Sequence, residues 1–355
     1  MADDPRAPDR SDGAGAGAGD GRATTRPDRA RGPGRPSEAA APVEALRDPV
    51  LRAAWASIME DRSQAEIAAL MGVSRASVGN LLARARAEGL VRVSLDPAVL
   101  ARSARARRIA ARFGLEAVYL VPEGGDPMDR VTRAAASWVD DLLGGEGTLG
   151  VAWGETIHRL AGHLPRRAWP GLTVVQLVGS MASPFGFTAE ICTALIAERL
   201  GAVCVNLHAP AVLSDPALVA ALLREPILRR QVAALERCDA ALFAVGLATA
   251  ESHVVQSGVA TPEELARYAE RGATAVIAGR FIDAEGRALA GPLDGRLVGL
   301  PLDGLRRIPR RLVVSAGVGR AGALRAALLG GFATHLVTDA ALGEALLAAG
   351  GPPPA

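Results

Sequence analysis

Side chains able to read DNA bases lie close together between Ser74 and Arg84. Arginine can donate two hydrogen bonds to the edge of guanine, and asparagine can pair in the same two-bonded way with adenine. Arg75, Asn80 and Arg84 supply these groups, and the hydroxyls of Ser74 and Ser77 lie beside them in the sequence. All five residues are therefore candidates for contact with double-stranded operator DNA.

The segments around these residues predict a helix-turn-helix. Ser63 and Glu66 have the spacing of a capping box, which starts a first helix. Gly72 can adopt the left-handed conformation that ends this helix, and Ser74 can cap a second one. In this motif the second helix enters the major groove, and residues Leu90–Leu95 resemble a strand-like wing behind it. An ordinary helical hairpin with a solvated polar face is the alternative, but the combined features favour DNA binding.

A second set of polar residues follows buried strands in the remainder of the chain. Apolar runs at 117–122, 148–154, 172–180, 202–207, 240–246, 273–283, 312–319 and 335–339 alternate with amphipathic helices. This pattern predicts an α/β domain with a mainly parallel sheet covered on both faces. Ligands bind such sheets at the carboxyl ends of the strands. The candidate ligand-binding residues there are Gly154, Glu155, Thr156, Gly179, Ser180, Asp283, Gly317 and Arg320.

One of these loops has the form of a dinucleotide-binding fingerprint. Gly317, Gly319 and Gly322 have the G-x-G-x-x-G spacing, and Asp339 follows at the distance of a ribose-binding acid. A dinucleotide fold needs several further strands after that acid, and only 16 residues remain. We therefore expect no cofactor here, but a loop that offers backbone N–H groups and Arg320 to a small anion.

Composition excludes several other kinds of chemistry. The chain has 355 residues, a net charge of +2 and no lysine, so lysine Schiff-base catalysis is excluded. Cys192, Cys204 and Cys238 are too few and too far apart for a metal site, and we expect free thiols in a reducing cytoplasm. His158 and His163 are five residues apart, which is not the zinc-binding spacing. We expect no metal, no catalytic residue and no membrane span.

The chain is predicted to have four parts. Residues 1–45 resemble a disordered tail, in which RGPGRP at 31–36 loosely resembles an AT-hook, although the short and imperfect match favours a plain solvated tail. Residues 46–96 form the helix-turn-helix domain, and 97–114 a basic linker helix that is either solvated or in contact with DNA phosphates. Residues 115–350 form the effector domain.

The chain contains a series of distinctive blocks: SQAEIAALMGVSRASVGNLLARARAEGLVRV (63–93), GVAWGETIHRLA (150–161), VVQLVGS (174–180), FAVG (243–246), AGRFIDAEG (278–286), LDGLRRIP (302–309) and VVSAGVGRAGALRAALLGGFATHLVTD (313–339). In these blocks the chain resembles the SorC family of sugar-responsive bacterial transcriptional regulators, which have a DeoR-type effector domain. Their order and spacing extend the resemblance over about residues 50–349. It implies a winged helix-turn-helix followed by an α/β effector domain similar to sugar-phosphate isomerases and deaminases, acting as a sensor.

The resemblance also assigns roles to individual residues. It places Gly154, Glu155 and Thr156 in a phosphate-binding loop, and Gly179 with Ser180 in a glycine-rich loop. Arg320 falls where the family often has lysine, and Asp283 closes a Gly-Arg-Phe-Phe-Asp-like block.

Three departures from the family pattern bear on the ligand. Glu155 is a carboxylate where an uncharged residue favours phosphate. Val276 stands where aspartate is common, and Arg320 keeps a positive charge without imine chemistry. A sugar phosphate and an uncharged sugar or polyol therefore both remain candidates for the effector.

The sequence thus predicts a cytoplasmic, non-enzymatic transcription factor controlled by a carbohydrate. A small reading module needs symmetric assembly on a paired operator, and the resemblance suggests a homotetramer or dimer. One rival is a sugar-phosphate isomerase or deaminase fused to a DNA-binding module, with Glu155, Asp283 and His208 as acid/base candidates. Another is an architectural DNA-binding protein that uses the basic tail.

Overall fold

The computed structural model describes residues 47–91, 103–182 and 184–349. The chain divides into two compact units, Met1–Val93 and Ser94–Ala355, and each is treated by itself below. The tail at 1–45, the wing residues 92–95 and residues 98–102 of the basic helix lie outside the described residues.

Three helices form the described part of the N-terminal unit: α1 (Pro49–Ile58), α2 (Gln64–Met71) and α3 (Arg75–Ala87). The predicted capping box is present, because Ser63 accepts the Glu66 N–H and Glu66 accepts the Ser63 N–H. Gly72 ends α2 in the left-handed conformation with φ 67°. The three helices enclose a small core that contains Ala53, Ala56, Ile67, Ala68 and Val78. The helix predicted over 46–62 is shorter, at 49–58.

A seven-stranded parallel sheet organises the C-terminal unit. The strands are β1 (Ala117–Val121), β2 (Gly147–Val151), β3 (Leu172–Gln176), β4 (Val203–Val205), β5 (Ala240–Phe243), β9 (Arg310–Val314) and β10 (His335–Asp339). They lie in the order β1-β10-β9-β5-β2-β3-β4, and each neighbouring pair runs parallel. Both faces are buried under helices, which explains why the strands are nearly continuous apolar runs.

Helices connect the strands on both faces of the sheet. They are α4 (Ala104–Phe113), α5 (Pro127–Leu143), α6 (Glu155–His163), α7 (Ala189–Leu200), α8 (Pro216–Leu222), α9 (Pro226–Leu235), α10 (His253–Gln256), α11 (Pro262–Ala269), α12 (Leu302–Arg307), α13 (Ala321–Leu329) and α14 (Ala340–Ala348). Among the described residues, no helix combines the length and apolar character needed to cross a membrane.

The prediction of one parallel strand over 273–283 is wrong. This segment is an antiparallel hairpin of β7 (Ala275–Ile277) and β8 (Arg280–Ile282), and with β6 (Gly246–Leu247) it forms a separate three-stranded sheet. Ala278 and Gly279 form the two-residue turn, with φ values of 48° and 81°. Positive φ at both central positions is the requirement of the tight hairpin turn, usually met by Asn-Gly. Because Ala278-Gly279 lacks the usual asparagine, the turn could not be recognised within the apolar run 273–283.

The order in which the chain adds strands across the sheet reverses between β5 and β2, which is the topological switch point of the sheet. From β2 the chain moves outward through β3 to β4 at one edge of the sheet. It then returns to β5, beside β2, and moves through β9 to β10 towards the other edge. The loops after β2 and β5 therefore diverge and leave a crevice at the carboxyl ends of these strands, where open α/β sheets bind ligands.

The basic helix α4 is packed against the C-terminal unit. Ala106 and Ile109 are buried against its core. Arg105 pairs with Glu344 on α14 at 2.8 Å, and Arg112 donates to the Leu347 carbonyl oxygen at 2.5 Å. Two of the arginines that could have contacted phosphate thus hold this helix to the sheet domain.

Candidate functional site

The outward face of α3 is the candidate DNA-reading surface. Val78 and Ala85 are buried on its inner side, whereas Arg75 and Asn80 are exposed. At 100° per residue, Asn80 lies near the middle of the outward face, opposite these two residues, whereas Arg75 lies about 60° from Val78 and is exposed because it is in the first turn. Small residues share the outward face, namely Ala76, Gly79, Ala83 and Ala87. A face with small side chains allows the helix backbone to lie close to base edges, and alanine can contact a thymine methyl.

The other three predicted DNA-binding residues already have partners within the unit. Ser74 caps α3 by accepting the Ser77 N–H at 3.0 Å, and the two hydroxyl oxygens are 2.9 Å apart. Arg84 Nε donates to Glu88 Oε1 at 2.6 Å, one turn later. Arg75 and Asn80 are therefore the best placed of the five for direct reading of bases.

A cavity of about 210 Å³ lies at the crevice between β2 and β5. The loop after β2 contributes Trp153 and the start of α6, and the loop after β5 contributes the segment 244–247. The segment 249–254, Val276 of β7, the hairpin turn and Arg320 contribute the remaining lining. The lining residues are Trp153, Gly154, Glu155, Thr156, Ala244, Val245, Gly246, Leu247, Thr249, Glu251, Ser252, His253, Val254, Val276, Ala278, Gly279 and Arg320.

The first turn of α6 presents backbone donors at this cavity. Gly154 precedes the helix with φ 122°, a conformation that suits glycine, and no side chain caps the helix. The His158 N–H donates to the Gly154 carbonyl oxygen at 3.0 Å. The N–H groups of residues 155–157 come before this first intrahelical bond, so the helix itself cannot satisfy them.

Glu155 is held by a network of ion pairs. Both Nε and Nη2 of Arg159, one turn further along α6, donate to Glu155 Oε1, at 2.9 and 2.6 Å. Arg159 Nη1 also donates to Asp126 at 3.1 Å. These contacts occupy Oε1 of the Glu155 carboxylate, and its Oε2 accepts no hydrogen bond from the described residues.

Arg320 carries the cationic group of the cavity lining. It follows β9 in the chain, and its Nη1 donates to the Val245 carbonyl oxygen at 3.2 Å. This bond fixes the guanidinium beside the loop after β5, with its other N–H groups left to contact a ligand.

His253 forms part of an aromatic cluster at the cavity. Its ring lies 4.9 Å from Phe185 and 5.0 Å from Phe187, and these two phenyl rings stack on each other. Burial lowers the pKa of His253; the nearby Glu155 carboxylate opposes this effect and Arg320 reinforces it. The imidazole is therefore neutral at pH 7. The Ser252 hydroxyl oxygen beside it is buried without a hydrogen-bond partner among the described residues.

Four of the predicted ligand-binding residues lie outside the cavity lining. Gly179 allows close backbone approach, since a Cβ there would be 2.5 Å from the Pro210 carbonyl oxygen. The Ser180 hydroxyl lies 3.5 Å from the Leu207 carbonyl oxygen. The Gly317 N–H donates to Asp339 Oδ2 at 2.7 Å, so it is not available to an anion.

Asp283 stabilises the turn that follows β8. Its carboxylate accepts from Arg287 Nε at 2.7 Å and from the Arg287 N–H at 2.8 Å. Burial would raise the pKa of Asp283, but these hydrogen bonds outweigh it and hold the pKa below its ordinary value. A structural role in the loop thus accounts for this residue.

Of the 17 residues that line the cavity, 13 were not among the predicted ligand-binding residues. Trp153 precedes the predicted loop by one residue, and adjacency to Gly154 was the available signal. His253 and the segment 249–252 come from a connection without a motif, and Ala278 from the unrecognised turn. Only the fold brings these residues to the loop after β2.

Comparisons with known proteins agree with this architecture. A family model described as "Putative sugar-binding domain" matches residues 99–348, and one described as "Sigma-70, region 4" matches residues 55–88. The uncharacterized transcriptional regulator YjhU of Escherichia coli (strain K12) is 38% identical over 310 residues, which span 85% of this chain and 94% of that protein.

Two further relatives have names that state a sugar-related role of their own. The erythritol catabolism regulatory protein EryD of Brucella abortus (strain 2308) is 26% identical, over 84% of this chain and 95% of that protein. The full-length sorbitol operon regulator SorC from Klebsiella pneumoniae has a similar fold, with a TM-score of 0.70 at 22% identity, covering 84% of this chain and 97% of that chain.

Proposed function

Because the chain belongs to the SorC family of sugar-binding transcriptional regulators, we propose that the cavity between β2 and β5 binds the carbohydrate effector that controls operator binding. The outward face of α3 reads the operator through Arg75 and Asn80. A change in occupancy of the cavity changes the affinity of the protein for DNA, because the effector binds one assembly geometry more tightly than another.

The observation that carries the proposal is the position of the cavity. It lies at the point of the sheet where the chain direction reverses, and it brings donors from α6, Arg320 and an indole ring together. A carbohydrate needs hydrogen-bond donors and acceptors for its hydroxyls and an apolar face for its C–H groups. Trp153, Glu155 and Arg320 supply these three kinds of contact.

Helix α4 is the proposed connection between the two units. It directly precedes β1 in the chain and packs on β1 and α14. The α14 cap Asp339 holds the loop that leads to Arg320. A small reading module also requires more than one copy on a paired operator, so a homodimer or homotetramer is part of the proposal.

The placement of the acid/base candidates favours binding without turnover. Of the three residues considered, only Glu155 lines the cavity, and Arg159 already holds its carboxylate. Asp283 is bonded to Arg287, and His208 is not part of the cavity lining. We therefore propose a sensor and not an isomerase or deaminase.

The test measures operator affinity in the presence of sugars, polyols and their phosphates. The operator is taken from DNA upstream of the gene, and affinity is measured by fluorescence anisotropy at one fixed salt concentration, because phosphate contacts make affinity salt-dependent. We expect at least one compound to change the dissociation constant about tenfold, which corresponds to about 1.4 kcal/mol of coupling.

Variants of cavity residues test whether the effector changes operator affinity by binding in the cavity. Trp153→Ala and Arg320→Ala are expected to remove the response to the effector and to leave operator affinity without effector unchanged. Arg166→Ala is the matched control, since Arg166 is exposed and pairs only loosely with Glu198, at 3.6 Å. An unchanged response in both cavity variants, or turnover of a sugar phosphate that Glu155→Gln abolishes, would contradict the proposal.

A further inference from the structure

Resting on the proposed function, we infer that the effector is an uncharged polyhydroxylated carbohydrate and that Glu155 selects it over its phosphate ester. Glu155 places a carboxylate at the start of α6, where its charge and hydrogen bonds act on a ligand in the cavity.

The Glu155 carboxylate is fixed in a defined orientation. Both hydrogen bonds from Arg159 go to Oε1, and Arg159 is itself anchored by Asp126 on the other side. The remaining oxygen, Oε2, belongs to a residue that lines the cavity. A carboxylate oxygen accepts hydrogen bonds and cannot donate them when ionised, so its natural partners are hydroxyl groups.

Negative charge predominates among the ionisable groups of the cavity lining. Glu155 and Glu251 are carboxylates, whereas Arg320 is the only residue of the cavity lining that is positively charged at neutral pH. His253 adds no positive charge, because burial lowers the pKa of its imidazole. A phosphate dianion would enter a lining with two carboxylates and a single guanidinium; Arg159, which offsets part of the charge of Glu155, is not a lining residue.

The start of α6 would by itself attract an anion, and Glu155 changes that preference. A helix N-terminus carries a partial positive charge of about half a unit, which favours a negatively charged group in the first turn. Glu155 is the first residue of α6 and already supplies a negative charge there, which its ion pair with Arg159 offsets only in part. A phosphate at the same position would be repelled by this like charge at short distance. The N–H groups of residues 155–157 can still donate to hydroxyl oxygens.

The remaining lining suits the carbon skeleton of a small sugar or polyol. Trp153 presents an aromatic ring, and Val245, Leu247 and Val276 are apolar. The cavity volume of about 210 Å³ is below the range of roughly 300–1,000 Å³ of pockets for drug-sized ligands. The cavity thus matches a compact ligand with hydroxyls directed towards Glu155 and Arg320.

The experiment compares matched pairs of compounds on the full-length protein. The probes are erythritol, sorbitol and fructose, each with its monophosphate ester, and glucosamine with glucose. Dissociation constants are measured by isothermal titration calorimetry, and the effect of each probe on operator affinity is measured in parallel. We expect an uncharged compound to bind at least tenfold more tightly than its own phosphate.

Variants at Glu155 test the selecting residue directly. Glu155→Gln keeps the shape and removes the charge, and it is expected to reduce the preference for the uncharged partner at least tenfold. Glu155→Asp keeps the charge and is expected to retain the preference. Glu270→Gln is the control, because Glu270 is exposed and lies outside the cavity lining. Circular dichroism melting verifies that each variant is folded.

The outcomes separate this inference from the proposed function. A phosphate ester that binds more tightly than its parent and changes operator affinity would overturn the inference and leave the proposed function intact. Tenfold tighter binding of glucosamine than of glucose, or an unchanged preference in Glu155→Gln, would also overturn it. If no probe binds and none changes operator affinity, both the inference and the proposed function fail.

Discussion

Asp339 Oδ2 accepts a hydrogen bond from the backbone N–H of Gly317 at 2.7 Å. Its other oxygen, Oδ1, accepts the Leu342 N–H at 2.8 Å and caps α14. One carboxylate at the end of β10 thus holds both the glycine loop after β9 and the start of the last helix. This explains why Asp339 stands at the spacing of a ribose-binding acid without a cofactor being involved.

Replacement of Asp339 is therefore expected to reduce the stability of the protein. Asp339→Ala removes a helix cap and leaves a loop N–H without its partner, at a cost of about 1–3 kcal/mol in the free energy of unfolding. Urea denaturation followed by circular dichroism measures it. Asp303→Ala is the control, because the Asp303 side chain is 79% exposed and makes a surface ion pair, which contributes about 0–1 kcal/mol. Equal losses in the two variants would contradict the structural role of Asp339.

The sequence was sufficient for features that local rules determine. Ser63, Glu66, Gly72 and Ser74 predict their caps and turn because a few neighbouring residues decide these contacts. The parallel strands were equally visible, since burial on both faces leaves continuous apolar runs such as Ala117–Val121.

Features that depend on distant contacts could not be predicted. Arg112 donates to the Leu347 carbonyl oxygen, which is 235 positions away in sequence. The packing of α4 against the sheet domain therefore could not be predicted from the sequence. Asp283 and Gly317 stand at plausible ligand positions, yet their bonds to Arg287 and Asp339 commit them to the fold. His253 comes near Glu155 only because the connections after β2 and β5 line the same cavity.

The hairpin turn between β7 and β8 contains a residue in an unfavourable conformation. Ala278 has φ 48°, where an ordinary L-residue is destabilised by about 1–2 kcal/mol. Asparagine adopts this conformation more readily and precedes glycine in the preferred two-residue turn. Ala278→Asn is therefore expected to raise the free energy of unfolding by about 0.5–1 kcal/mol, measured by urea denaturation.

The same replacement of alanine by asparagine inside a helix is expected to change the free energy of unfolding in the opposite direction. Ala266→Asn, at an exposed position inside α11, is expected to lower the free energy of unfolding by about 0.5 kcal/mol, because asparagine is a poorer helix former than alanine. A loss of stability in both variants would show that the turn at Ala278 is not strained.

His335 is expected to make stability depend on pH. Burial lowers its pKa below the ordinary 6.5; Glu116 opposes this effect, and Arg310 and Arg311 reinforce it. The unfolded chain therefore binds a proton at a higher pH than the folded chain. The free energy of unfolding decreases as the pH falls through about 6.5 towards the lowered value, and this effect of His335 is absent at higher pH.

The variant His335→Gln removes this contribution. We expect a shallower decrease of the free energy of unfolding between about pH 7 and pH 5, measured by urea denaturation at several pH values. His163 and His253, whose pKa values burial also lowers, account for the slope that remains. His208→Gln is the control, since its side chain is exposed. An unchanged slope in His335→Gln would refute this assignment.

Asp129 and Asp283 have lowered pKa values as well, so their contribution to the free energy of unfolding is lost only at lower pH, near 3.8 and below.

Arg75 and Asn80, two of the exposed polar residues of α3, are expected to dominate the reading of the operator. Arg75→Ala and Asn80→Ala should each weaken operator binding by about 1–3 kcal/mol and relax the base preference at one position. Arg84→Ala should weaken binding less and leave the base preference unchanged, because Glu88 already engages the Arg84 guanidinium.

Binding is measured by fluorescence anisotropy against a set of single-base operator variants, with Arg166→Ala in the other unit as the control. A uniform loss across all operators in Asn80→Ala would indicate phosphate contact, and a shift of base preference in Arg84→Ala would show that its ion pair opens on DNA.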